Sequence, residues 1–168
     1  MLHSDTIIRY LDVYNQAPVK NTLAYLFRSF SFKIRNNKID FEDNDVLLQD
    51  FTGWTKLESI SSHKLYDDFI IIKFKDMEVI ASKDQQIPIW FPDKITKGFH
   101  GETKYDHKII SVKDITLKDN IRSRISDSNF IKPISIDTHY KYNENFYSIK
   151  TKSKYFTANE IYFYNDIL

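Results

Sequence analysis

The chain has 168 residues, with 24 Lys and Arg against 23 Asp and Glu, and it contains no cysteine. A formal charge of +1 excludes the broad basic field that nucleic-acid or anionic-membrane binding needs as a main activity, and the missing thiols exclude disulfides, thiolate metal sites and a cysteine nucleophile. Hydrophobic residues at 42% can fill the core of one unit, while no apolar run approaches the roughly 20 residues of a membrane-spanning helix and the charged N-terminal run is no signal peptide.

Residues 5–15, DTIIRYLDVYN, place Ile7, Ile8, Leu11 and Tyr14 on one helical face, with Ser4 or Asp5 as N-cap. Pro18 suits the first position of a second helix over 18–29, in which Leu23, Leu26, Phe27 and Phe30 recur at helical spacing. From residue 31 the period becomes two. Phe32 and Ile34 precede Asn36-Asn37, and Ile39 and Phe41 follow, which predicts a hairpin because Asn tolerates left-handed backbone angles. DFIIIKF and EVIAS predict two strands with a bend at Lys75-Asp76, and further short β runs follow at KIISVKDI, FIKPISID, FYSIKT and EIYFYN. Pro88, Pro92 and Pro133 mark run ends or edge positions. Trp90–His107 holds Gly98, Gly101 and Pro92 with little periodicity and predicts a long surface loop. The expectation is a mainly β chain of short antiparallel strands over 31–168, preceded by a helical extension over 1–30.

Four segments in this order resemble the Hint fold of inteins and hedgehog autoprocessing domains. DVLLQDFTGWTKLESI resembles an early strand pair with a Gly-aromatic step. VIASKDQQIPI resembles the block that usually reads Thr-x-x-His after a β run. VKDITLKDNIRSR resembles a segment ending in Gly-Asp, with Asp119-Asn120 in that place. FYSIKTKSKYFTANEIYFYN resembles the terminal block, in which Phe-x-Ala-Asn leads to a final His-Asn. The resemblance spans about residues 45–165 and implies a horseshoe-like all-β module whose two ends meet at one catalytic centre.

The departures from that pattern bear on chemistry. Splicing needs a Cys or Ser to attack its preceding peptide bond and a His to protonate the departing amide. Here the Thr-x-x-His positions fall on Ser82, Lys83, Asp84 and Gln85, and Gln moves no proton near neutral pH. The penultimate His is replaced by Tyr164, with an ordinary pKa of about 10. Asn165 is kept, but Asp166 follows it in place of Cys, Ser or Thr. By alignment the initiating nucleophile would fall near residues 20–31, on Ser29 or Ser31. Loss of acid–base help alone slows such steps by about 10²–10⁴-fold. No active catalytic residue and no cofactor is therefore expected.

Other candidates are weaker. His3, His63, His100, His107 and His139 show no metal-site spacing; a zinc or manganese cluster of His100 and His107 with Glu102 and Asp106 stands against the commoner solvated loop. Asp67-Asp68 and Asp43/Asp45 sit at strand entries, where Asp caps turns. KIRNNK and RSR are basic, but without a net basic balance nucleic acid is not the expected partner. Aromatic residues crowd the chain from Tyr140 onward; most should fill the core, and exposed ones mark protein contacts. Trp90, Phe91, Phe99, Tyr105, Tyr162 and Tyr164 are the candidate interface. The functional expectation is a structural or interaction protein on a degenerate scaffold, located in the cytoplasm of the producing cell or in a virion. Residue usage rich in Ile, Lys, Asn and Tyr suggests a bacteriophage tail, baseplate or connector part, with other proteins as partners and no membrane insertion. The alternatives are a residual self-processing element that cleaves after Asn165 and a small nucleic-acid-binding module.

Overall fold

The computed structural model describes residues 1–15, 17–97, 101, 103–124, 129–140 and 144–165, with the backbone alone over 94–97. In chain order its elements are β1 (Leu2–His3), β2 (Ile7–Asp12), β3 (Val19–Thr22), α1 (Leu23–Ser29), β4 (Lys38–Asp40), β5 (Val46–Gln49), β6 (Trp54–Leu65), β7 (Phe69–Lys73) and β8 (Glu78–Ser82). Then come β9 (Gln86–Lys97), β10 (Thr103–Ser111), β11 (Asn120–Arg122), β12 (Phe130–Ile131), β13 (Ser135–His139), β14 (Glu144–Thr151), β15 (Tyr155–Ala158) and β16 (Ile161–Tyr164). A 12-stranded antiparallel sheet runs β13-β7-β8-β1-β14-β6-β5-β2-β15-β16, with β3 on β2 and β4 on β6; β10-β9-β11-β12 form a second, 4-stranded sheet. The fold is mainly β, as expected from the period of two.

The predicted helix over 5–15 is a strand instead. Thr6, Ile8 and Tyr10 alternate inward, each at most 3% exposed, while Ile7 faces out. The apolar positions of IIRYLD fit both periods, and pairing decides between them. Ile8 opposes Asn21 on β3 and Ala158 on β15, and Leu11 opposes Leu47 on β5. The Asp12 carboxylate ends the strand by accepting the Tyr14 and Asn15 N–H groups. Of the predicted second helix only α1 forms. Thr22 Oγ1 caps it by accepting from Tyr25 N at 3.1 Å, and Leu23, Leu26 and Phe27 seat it on the core. The first 22 residues are thus woven into the large sheet, with Leu2 between Tyr147 and Ala81.

The Asn36-Asn37 turn forms as predicted. Both residues have positive φ, 50° and 59°, and Arg35 and Lys38 exchange backbone hydrogen bonds across it. The strands predicted to flank it do not pair with each other. Residues Ser31–Lys33 make a 3-10 turn, and β4 pairs with β6, Ile39 opposite Ile60. The Lys75-Asp76 bend also forms, closed by Phe74 N to Met77 O at 2.8 Å.

The segment Trp90–His107, predicted as a loop, belongs mostly to a long hairpin of β9 and β10, in which Trp90 opposes His107. Pro88 and Pro92 sit inside β9. They are tolerated because β11 pairs only with Ile89 and Trp90, so neither proline interrupts a second ladder. The segment predicted to link the last two runs is itself a strand, β15. It pairs with β16 through an Asn159-Glu160 turn with φ 46° and 62°.

Lys33 Nζ donates to Asp45 Oδ2 at 2.6 Å, and Glu42 N donates to the same oxygen at 3.0 Å. The hydrogen bond from Lys33 is the main cause holding the Asp45 carboxyl below the ordinary range. A depressed carboxyl stabilises the fold above its unfolded pKa of about 3.9. That contribution is lost as pH falls through the lower folded value. Asp45→Asn should therefore flatten the fall of melting temperature below about pH 4, read by circular dichroism against the parent chain.

Candidate functional site

Ser82, at the end of β8, and Gln85, just before β9, are 2% and 1% exposed. A turn fixes them together, with Gln85 N donating to Ser82 O at 3.1 Å. Ser82 holds Met1 on both sides: Ser82 N donates to Met1 O at 2.9 Å, and Met1 N donates to Ser82 Oγ at 2.8 Å. The single hydroxyl proton of Ser82 goes to Asp84 Oδ1 at 2.7 Å, nearer than Met1 O at 3.3 Å. Burial pushes the Asp84 carboxyl up, but the Ser82 hydroxyl and the Met1 amine outweigh it and hold the carboxyl below its usual range.

Gln85 Nε2 donates to two carbonyls, Gln86 O and Tyr164 O, each at 3.0 Å. Because both partners can only accept, the orientation of this amide is settled by chemistry. Through it the segment around Ser82 and Met1 is tied to the C-terminal strand β16. The two ends of the fold therefore converge, and Met1 stands at the meeting point. Ser29 and Ser31 do not. Ser29 Oγ donates to Tyr25 O at 2.7 Å on the exposed side of α1, and Ser31 lies in the exposed 3-10 turn.

Asn165 is held like an extra rung of sheet. Its Oδ1 accepts from Thr151 N and its Nδ2 donates to Thr151 O, both at 3.0 Å, while its own N–H donates to Lys154 O at 2.8 Å. Thr151, on the other side of this pair, is 1% exposed. The Tyr164 ring turns away to meet Tyr155 edge-on at 5.1 Å. Tyr155 O–H and His107 Nε2 are 3.0 Å apart, and burial, then Tyr164, pushes the Tyr155 phenol up. Asp166 lies outside the described residues.

The candidate interface divides. Tyr162 is 8% exposed and packs on Phe51 at 4.3 Å, which corrects its assignment to a surface. Trp90 is enclosed by Phe51, His107 and Phe130, and its indole N–H is buried. The Arg122 guanidinium lies 5.1–5.5 Å from the Phe51, Trp90 and Tyr162 ring centres, so this cluster is filled by the chain's own cation. Phe91 and Tyr105 are exposed, and Tyr164 is half-buried. Phe99 lies outside the described residues, as do His100 and Glu102 of the weighed metal cluster. Among the described residues no three His, Asp or Glu side chains are grouped to hold a metal ion.

The role of Met1-Leu2 went unread in the sequence because its partners lie about 80 and 145 residues away. The alternation of Thr6, Ile8 and Tyr10 was the local signal that could have revealed this N-terminal strand.

No family model matches the sequence, and no curated protein matches it. Solved structures do. The Mvu mini-intein of transcription factor IIB superposes with a TM-score of 0.73 at 13% identity, over 98% of this chain and 100% of its own. An intein from a hyperthermophile gives 0.69 at 14% identity, covering 98% of both chains. The KlbA intein precursor from Methanococcus jannaschii gives 0.69 at 14% identity, over 98% of this chain and 90% of that one. At these identities the likeness concerns fold: this chain has the Hint fold, and the likeness covers 98% of it.

Proposed function

We propose that this chain is a Hint-fold protein that does not splice and that acts by binding other proteins. The observation that carries the proposal is the Asn165 amide, tied at both ends to the Thr151 backbone. Cyclisation would need Nδ2 to turn onto the carbon of its own carbonyl, and that nitrogen is instead aimed at Thr151 O. Around it the helpers are missing. Gln85 occupies the position of the acid and donates to Tyr164 O without a proton to give up. Met1, at the meeting point, carries a thioether with no S–H to add to a peptide bond. Intact-mass spectrometry after long incubation at raised temperature should return the full-length mass. Loss of residues 166–168 would overturn the proposal in favour of a residual self-processing element.

The partners we propose are proteins of a larger assembly, in concrete form a structural part of a bacteriophage virion. The exposed Phe91 and Tyr105 support a protein-binding surface, and the virion setting is supported by residue usage alone. Cross-linking and co-purification should recover a stable assembly; a chain that enters none would sink this role.

A further inference from the structure

β10 is an edge strand: in the smaller sheet it pairs with β9, and its other side carries no strand among the described residues. From Tyr105 to Ser111 its ladder is regular, with a register shift only between Thr103 and Tyr105. The His107 ring packs on Trp90 at 4.5 Å and meets Tyr155, which fixes the odd-numbered side chains from Tyr105 onward on the aromatic side. Asp106 and Lys108 therefore share the opposite face, and both are exposed. Their charges go unanswered within the sheet. Asp106 opposes Phe91 and Lys108 opposes Ile89 on β9, and neither has an ion pair among the described residues.

The geometry points to a second copy of this chain as the occupant of that edge, paired antiparallel about a twofold axis at His107. A symmetric antiparallel pairing opposes residues that share a face, so the axis must pass through a residue position. Centred on His107, Asp106 of each copy faces Lys108 of the other, twice over, and Tyr105 faces Ile109. Centring on Asp106 would set Asp106 against itself and Lys104 against Lys108. A centre at Lys108 sets Lys108 against itself, and one at Tyr105 runs through the register shift. Lysine on an edge strand discourages indiscriminate pairing. Here the acid two residues away makes one partner acceptable, a strand carrying the same pattern in reverse. The other strands paired on one side differ: β12 has two residues, β3 and β16 carry no acid, β13 carries one charged carboxylate, Asp137, at its centre, and in β4 Lys38 already pairs with Asp40 of its own strand at 3.1 Å.

Light scattering on the full chain at sub-millimolar concentration tests this pairing. The parent should be a dimer. Asp106→Lys and Lys108→Asp should each weaken it by roughly tenfold or more, since every single change alters two symmetric contacts. The double variant should regain the homodimer, and an equimolar mixture of the two single variants should form a heterodimer. Lys108→Asp breaks no hydrogen bond in the fold, so it carries the test alone if Asp106→Lys, which loses the contact from His107 N, fails to fold. A monomeric parent, a dimer indifferent to both single changes, or a double variant that stays monomeric would each overturn the pairing. The readout is oligomeric state, so it succeeds or fails separately from the mass test of Asn165.

Discussion

Phe163→Ala is expected to lower the unfolding free energy by about 3–5 kcal/mol, at the upper end of what truncating one core side chain costs. Phe163 is fully buried and opposes Phe156, itself 1% exposed, with the rings stacked at 5.9 Å. The hairpin that carries them joins otherwise separate parts. Ala158 of β15 pairs with Ile8 of the N-terminal strand, and Ile161 of β16 bridges to Ser123 beside the smaller sheet. A cavity at Phe163 would therefore open between both ends of the chain. Denaturant unfolding should show the midpoint fall with an unchanged slope; a loss below about 1 kcal/mol would mean that the hairpin is not the hub described.

Asn165→Ala is expected to cost about 1–3 kcal/mol and to leave the protein at its full-length mass. The substitution removes the partner of Thr151 N–H, on a residue that is 1% exposed, and leaves Thr151 O only the longer bond from Lys154 N at 3.2 Å. Asn165→Asp separates the two contacts. The carboxylate still accepts from Thr151 N but sets a negative oxygen against Thr151 O. Its pKa should be raised in the fold, so the variant should regain stability as pH falls and lose it as pH rises through that folded value. A catalytic asparagine would behave in the opposite way, because its removal would abolish a truncated product and leave stability nearly untouched. Melting curves and intact mass on the same samples distinguish the two.

Much of the site was legible because its parts are local. The β run VIAS followed by KDQQ located Ser82 and Gln85, and both lie where the ends of the fold meet. Asn36-Asn37 could be read as a turn because a left-handed pair suits asparagine whatever surrounds it. The assignment of 5–15 failed for an equally physical reason. Ile7, Ile8 and Leu11 satisfy a helical face while Ile8 and Tyr10 satisfy a strand, and only pairing with β3, β5 and β15 chooses. Tyr162 was misplaced because a β16 side chain facing away from the core would ordinarily meet water. Phe51 and Arg122, from distant parts of the chain, cover it instead.

By itself the sequence determined the β class, the turns at Asn36-Asn37 and Lys75-Asp76, and the absence of a thiol and of histidine at the two positions where splicing uses it. Those are properties of residue type and short-range period. The tertiary structure decided that Met1 and not Ser29 or Ser31 meets Ser82, that β9 and β10 extend into a hairpin with a free charged edge, and that the Asn165 amide is bound to Thr151. Each of these depends on which distant backbone groups satisfy one another's hydrogen bonds, and such pairings leave no mark on the residues between them.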